Sequence, residues 1–295
     1  GGEARNAGLA NPNGVVFDWK RYVGTDTVLY TDQNGKAYRA CDILVLLLKK
    51  AKSIIESKTG EPVNEVVVTV PANYDDKQTQ ETLDAGSEAG MTVILTPKEP
   101  TCAALGNHIH KGKVGTGMVF DLGAGTFDVS IVKSAANRFE VVMTGGEPQL
   151  GGTDFNQRAQ AEILDEFERQ FHYRPAQEDE PVFFQNLLQQ IEQLKISLSI
   201  QKQCQLAVAC NSDLLKMTVT RDQFESWIQD LVERAIDRTQ KTLAEANLQW
   251  SDIDELYAVG GGSQVPLVRR RLEEVSGKKI SQRCEAHYAH ALGGV

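Results

Sequence analysis

Met118 to Val132 reads MVFDLGAGTFDVSIV: two apolar runs of β type flank a glycine turn that carries Asp121, Gly123, Gly125, Thr126 and Asp128. Pattern and punctuation predict a strand, a tight turn and a returning strand. Gly123 and Gly125 open backbone angles closed to other residues, so that successive amides can converge on an anion such as a phosphate. Asp121 and Asp128 stand at the two ends of the turn. Two carboxylates so placed can hold the waters of a magnesium ion or orient an attacking water, and Thr126 adds a hydroxyl. An ordinary hairpin with aspartates as turn residues fits the same string, so its neighbours have to decide.

The chain has 295 residues, of which 41% are hydrophobic, enough for a sizeable core in two domains or one large one. A formal net charge of −9 argues against a general nucleic-acid surface, which is dominated by Lys and Arg, and leaves a local nucleotide site open. No stretch has the apolar length of a bilayer span, and GGEARNAGLANPNG at the start has no hydrophobic signal core. The expected location is cytoplasmic, with neither membrane nor nucleic acid as partner. Five cysteines, Cys41, Cys102, Cys204, Cys210 and Cys284, are scattered without a C-x-x-C pair and read as free, mostly packed thiols. His287 and His290 are one helical turn apart; surface or packing histidines are a plainer reading of them than a metal pair. The chain starts without Met and ends at Gly293-Gly294-Val295 without a closing element, so it is expected to be a piece of a larger protein.

Ahead of the glycine turn, Val15-Val16-Phe17 delivers Asp18, Trp19, Lys20 and Arg21, and Asn34-Gly35 marks a hairpin between Val28–Tyr30 and Ala37–Arg39. Ile43, Leu44, Leu47, Leu48, Ala51, Ile54 and Ile55 recur at helical spacing, with Asp42 as N-cap and Gly60 as the stop. Glu65 to Val70, EVVVTV, is apolar without alternation and predicts a strand buried on both faces. A polar helix from Asp75-Asp76 to about Gly90, a strand at Thr92–Leu95 and a helix opening at Lys98-Glu99-Pro100-Thr101 follow. Phe139–Met143 continues the sheet. The glycine pair Gly151-Gly152 leads into a helix with Phe155, Ala159, Ile163, Phe167 and Phe171 on one face. A second long helix spans about 182 to 199. Two strands at 205–209 and 214–219 come next, then a helix with a Thr220/Gln223 capping box. Residues 150–229 therefore form a helical lobe with a small sheet, inserted between α/β segments. The strand Glu255–Val259 enters Gly260-Gly261-Gly262-Ser263 and a helix at Pro266. Amides and a helix dipole there point at one place, a second anion or sugar platform, with a structural glycine turn as the less favoured reading of the segment alone.

The ordered set NPNGVVFDWKRYVG, VVVTVPANYDDKQTQETLDAGSEAG, LTPKEPTCAAL, FDLGAGTFDVSIV, LGGTDFNQR and AVGGGSQVP resembles the ATPase domain of the seventy-kilodalton heat-shock chaperones, within the actin and sugar-kinase superfamily. The resemblance runs from Gly2 to near the C-terminus. It implies an α/β actin-like ATPase fold, two lobes of mixed sheets with flanking helices around a central nucleotide cleft. Residues 1–64 map to the outer part of the first lobe and 65–112 to its inner part. The second lobe takes 113–149 and 230–295 as its inner part and 150–229 as its inserted outer part. The implied ligands are ATP or ADP with magnesium. The further partners are co-chaperones and unfolded clients, reached through a domain not in this chain.

By resemblance Lys20 reaches the γ-phosphate, Glu99 supports magnesium waters, and Asp121 and Asp128 keep the carboxylate roles already read from the turn. Gly123, Ala124, Gly125 and Thr126, with Gly151 and Gly152, line the phosphates. Gly260, Gly261 and Gly262 back ribose and phosphates, Glu192, Lys195 and Ser199 fall where the family contacts adenosine, and Gln264 lies beside the base. The chain departs from the family at several points. A first phosphate hairpin with a D-L-G-T-T turn is missing because the chain begins after it, which is expected to expose a strand edge and to lower stability or promote self-association. The two arginines that sandwich adenine are Ile196 and Gln264, so cation–π stacking on the base is lost. The middle glycine of the phosphate turn is Ala124, a change that a negative φ tolerates. Asn73 stands for a tyrosine and Thr79 for an arginine, which puts relay to a client-binding domain in doubt. The chain therefore carries two expectations: a chaperone-type ATPase, or a degenerate, non-catalytic scaffold of the same fold.

Overall fold

The computed structural model describes residues 14–108, 115–135 and 138–281, together with positions 8, 11 and 291. Cys284, His287 and His290 lie outside the described residues, so the reading of that histidine pair stays with the sequence.

A 3-10 turn at Trp19–Tyr22 is followed by the hairpin β1 (Tyr30–Thr31) and β2 (Ala37–Tyr38), closed at Asn34-Gly35 as the sequence predicts. Helix α1 (Ala40–Thr59) starts two residues before Asp42. Asp42 is not the N-cap: its carboxylate sits in the first turn and accepts the backbone N–H of Arg39 at 2.8 Å. Gly60 caps the other end with φ 74°. Strand β3 (Glu65–Val67) is shorter than EVVVTV and only half-buried, against the expectation of burial on both faces. It pairs in parallel with β4 (Thr92–Leu95) in a two-stranded sheet, so no third strand covers it among the described residues. Between them lies α2 (Asp76–Glu88), whose N-cap Asp75 accepts the Gln78 N–H. Helix α3 (Glu99–His108) opens at the predicted Glu99-Pro100.

The turn quoted at the outset joins β5 (Gly115–Leu122) to β6 (Phe127–Ala135), antiparallel, with β7 (Arg138–Glu147) on the far side of β6. Then come α4 (Gly152–Phe171), α5 (Pro181–Ile200), the hairpin β8 (Gln203–Cys210) and β9 (Asp213–Thr220), and α6 (Arg221–Glu245) behind the Thr220/Gln223 capping box. Strand β10 (Glu255–Val259), helix α7 (Pro266–Ser276) and β11 (Ile280–Ser281) close the described chain. The main sheet runs β11-β10-β5-β6-β7 and is mixed: β10 is parallel to β5 and β11, and β6 antiparallel to its neighbours.

Alternation along β5 explains the layering. Met118, Phe120 and Leu122 point into the large core with Phe127, Phe155, Ile163, Ile228 and Val232, which α4, α5, α6 and α7 complete. Val119 points the other way, to Val132, Tyr257, Val259 and Ala103 of α3. Helices thus cover both faces of the sheet, as a central strand with so few polar side chains requires. Among the described residues no helix is long and apolar enough to cross a membrane.

Candidate functional site

Register sets the site. In β5–β6, Asp121 pairs with Asp128 and Leu122 with Phe127, so both carboxylates stand at the mouth of the turn. In β10–β5, Val259 pairs with Asp121, which brings Gly260 beside the same strand end. Gly260 has φ 81°, and a Cβ there would lie 2.4 Å from the Leu122 carbonyl oxygen and 2.7 Å from Asp121 Oδ1. Only glycine meets both demands. A Cβ on Gly262 would likewise lie 2.8 Å from the Leu122 oxygen, so the second glycine run is packed onto the first.

The third glycine segment arrives at the start of α4. Gly152 donates its N–H to the Gly123 carbonyl at 2.9 Å, and Thr153 donates to the Ala124 carbonyl at 2.7 Å. A Cβ on Gly151 would stand 2.5 Å from the Ala124 oxygen. The turn's carbonyls are therefore held by α4. The amides of Ala124, Gly125 and Thr126 have no acceptor among the described residues, while that of Gly123 closes the turn on the Thr126 carbonyl at 3.0 Å. One sequence expectation is corrected here: Gly123 and Gly125 do not take positive φ, and Ala124 sits between them without left-handed strain. What position 125 requires is closeness, since a Cβ there would lie 3.1 Å from Arg21 Nε.

Lys20 donates to Glu99 Oε1 at 2.9 Å, across seventy-nine residues of sequence. Glu99 is placed by its own N–H, which donates to the Val70 carbonyl at 2.8 Å. Burial alone would lower the Lys20 pKa; the charge and hydrogen bond of Glu99 outweigh it and hold the ammonium above its ordinary value. Glu99, Asp121 and Asp128 share a water-sized cavity with Ala72 and Ser130. Asp128 is buried, and its Oδ1 has no hydrogen-bond partner. Desolvation first, then the charges of Asp121 and Glu99, push its carboxyl up to about 7. Burial likewise pushes the Tyr74 phenol up to about 12, in the field of Lys20, Glu99 and Asp128, so it stays a hydroxyl at neutral pH.

These features fit a hydrated divalent cation and a polyphosphate. A buried, unpartnered carboxylate oxygen beside two further carboxylates is costly unless a cation offsets it. Among the described residues no group of three or more His, Cys, Asp or Glu is drawn close enough to hold an ion directly. The fit is therefore through water, and the free amides of the turn are donors that phosphate oxygens would suit.

Other predicted residues lie further along the same groove. Lys195 donates to the Gly152 carbonyl at 3.3 Å, to Asn156 Oδ1 at 2.9 Å and to Glu192 Oε2 at 3.1 Å, so α5 is stitched to the glycine pair. Ser199, one turn on, donates to the Lys195 carbonyl and lines a separate cavity with Gln264. Ile196 is 49% exposed. Gly261 is exposed and stands between the two packed glycines.

Further residues given no role from sequence join the site. Arg21 donates through Nε to the Gly125 carbonyl and through Nη2 to Asp154, both at 2.7 Å. Asp18, at φ 52°, accepts from the Thr153 hydroxyl at 3.0 Å. Tyr74 is another. Asp18, Arg21 and Asp154 stood inside the quoted FDWKR and LGGTDF strings, but no local signal says that Arg21 spans to a turn more than a hundred residues away. Compared with known families, residues 1–295 match the family model described as Hsp70 protein.

Proposed function

Because the chain belongs to the Hsp70 family, we propose that this chaperone-type ATP-binding domain hydrolyses ATP in the groove between its three glycine segments. The α/β architecture with mixed sheets is the actin-like ATPase fold of that family. The single observation that carries the proposal is convergence. Gly123–Thr126, Gly151–Gly152 and Gly260–Gly262 pack on one another beside the Lys20–Glu99 pair and the Asp121/Asp128 carboxylates.

Phosphoryl transfer asks little covalent work of a protein and rewards positioning and neutralised charge. Lys20 turns from Glu99 toward the terminal phosphate and offsets its charge. The turn amides and Thr126 orient the phosphate oxygens, and Gly260 to Gly262 leave room for ribose. Asp121, Asp128 and Glu99 would hold the waters of magnesium, and Asp128 would orient the attacking water. Magnesium, when bound, supplies the positive charge that the three carboxylates lack. Arg21 and Asp18 join the Trp19–Tyr22 turn to Gly125, Thr153 and Asp154, a route by which phosphate occupancy would shift the segments relative to one another. Co-chaperones and unfolded clients are the partners this reading brings with it. A cytoplasmic location suits Cys41, Cys102, Cys204 and Cys210, which are unpaired.

The test is calorimetric titration with magnesium ATP and magnesium ADP, alongside ATP turnover. Binding together with turnover that Lys20→Ala or Asp121→Asn abolishes supports the ATPase. Exposed Ile196 and Gln264 favour a second reading, a non-catalytic scaffold; absence of binding at millimolar nucleotide would select it.

A further inference from the structure

A cavity of about 620 Å³ opens beside Ser199, Gln264 and Pro266 and is lined further by Arg269, Arg270 and Lys279. Its volume is that of a small-molecule site. Two paths lead to it from the phosphate end of the groove. Along α5, Lys195 touches Gly152 and Ser199 follows one turn later, about 6 Å on at the rise of a helix. Along the other wall, Gly260 packs on Asp121 and Leu122, then Gln264 and Pro266 reach the cavity, and Arg269 follows within the first turn of α7. The cavity therefore lies where a nucleotide held by its phosphates at the glycine turns would put its base.

The three cations of this wall differ in what they already do. Arg270 donates to the buried Glu225 at 2.7 Å, and Lys279 donates to Glu273 at 2.9 Å. Arg269 is half-buried and lines the cavity, and its side chain makes no hydrogen bond or ion pair among the described residues. Glu273, one turn on, lies within its field but is bound to Lys279 and to the Ile280 N–H at 3.1 Å. Gln264 Nε2 is spent on the Ser263 hydroxyl at 3.1 Å, and the Ser199 hydroxyl proton on the Lys195 carbonyl. Ser199 therefore offers the cavity an acceptor, and Gln264 its Oε1 acceptor and one remaining N–H. With Glu273 and Glu274 also on its wall, the cavity carries nearly balanced charge and suits a neutral, planar, polar group better than a second anion.

We infer that Arg269 is the residue that binds the nucleotide base, laying its planar guanidinium against the purine, with Gln264 and Ser199 accepting from the base's N–H groups. This rests on the nucleotide reading above. A guanidinium does this where an ammonium does it poorly, because it is flat and less strongly hydrated. The stacking positions read from sequence as lost are thus replaced from one helix further along.

Calorimetric titration of the whole chain with magnesium ATP and with magnesium tripolyphosphate tests this, comparing the unaltered protein, Arg269→Ala and Arg269→Lys, each with its thermal melt as a fold check. The expected result is ATP binding about tenfold weaker in Arg269→Ala, an intermediate loss in Arg269→Lys, and tripolyphosphate binding unchanged in both. ATP affinity within twofold of the unaltered protein in Arg269→Ala overturns the inference, and so does an equal loss for both ligands, which would mark a general charge effect. Tripolyphosphate binding as tightly as ATP to the unaltered chain removes the base contact and leaves the phosphate site standing. Binding of neither ligand overturns the nucleotide reading and the base contact with it.

Discussion

Helices α1 and α6 carry the same kind of apolar stripe and meet different fates. Over its 20 residues α1 fully buries Ala40 and Val45, while Leu46, Leu47, Ile54 and Ile55 stay between 42% and 53% exposed. Over 25 residues α6 buries Phe224, Ile228, Leu231, Val232, Ala235, Ile236 and Leu243, because the sheet lies on one side and α4 and α7 on others. Helix α1 touches chiefly α2, β2 and the Trp19–Tyr22 turn. A stripe is a capacity to bury; the partner decides how much of it is used. The two halves of the candidate site divide along the same line. Asp121, Asp128 and the glycine segments hang from the well-packed sheet, whereas Lys20 and Glu99 come from the thinly packed region and reach across.

The largest expected effect tests that contrast directly. In urea unfolding, Ile228→Ala costs about 2–5 kcal/mol, and Leu47→Ala costs less than about 1 kcal/mol because little is lost from an exposed position. Equal losses would mean that the α1 stripe is covered in solution and that the contrast is wrong. Next comes pH. In the metal-free chain the folded state keeps the Asp128 proton up to about 7, whereas the unfolded state releases it near the ordinary 3.8. The folded pKa is raised, so stability is greatest below about pH 4 and falls as pH rises toward 7, by an amount on the order of a few kcal/mol. Asp128→Asn should flatten that slope and raise the melting temperature at pH 8; a steeper fall with pH in the variant would contradict it.

Gly260→Ala should cost at least about 2 kcal/mol, since the new Cβ meets backbone and φ is positive. Gly277→Ala, at φ 64° with nothing within 4 Å, isolates the backbone part and should cost about 1 kcal/mol. Matched losses in thermal unfolding would show that the packing of the two glycine runs contributes nothing. Last comes Arg21→Lys, which keeps the charge and loses the forked contact to Gly125 and Asp154, for about 1–2 kcal/mol. Amide exchange should quicken at Trp19–Tyr22 and stay slow along β5 and β6. Faster exchange in both would place Arg21 inside the core's cooperative unit instead of at its border.

What is local was legible in the residues alone. The hairpin around Gly123–Thr126, the helix start at Asp75, the capping box at Thr220, the Gly60 stop and the period of α4 follow from rules that act within a few residues, and they appear where expected. Resemblance then carried the family. Where local rules compete, sequence reading slipped: Asp42 sits at N3 because a carboxylate serves the first turn from either position, and apolar EVVVTV does not say how many strands will flank it. The candidate site, by contrast, is a product of long-range packing. That Gly260 stands on Leu122, that Arg21 holds the Gly125 carbonyl, that Lys20 meets Glu99 and that Arg269 is left unengaged beside a cavity are all consequences of sheet register and helix packing. Contacts between residues so far apart in the chain depend on how the whole chain closes, and no short string encodes that.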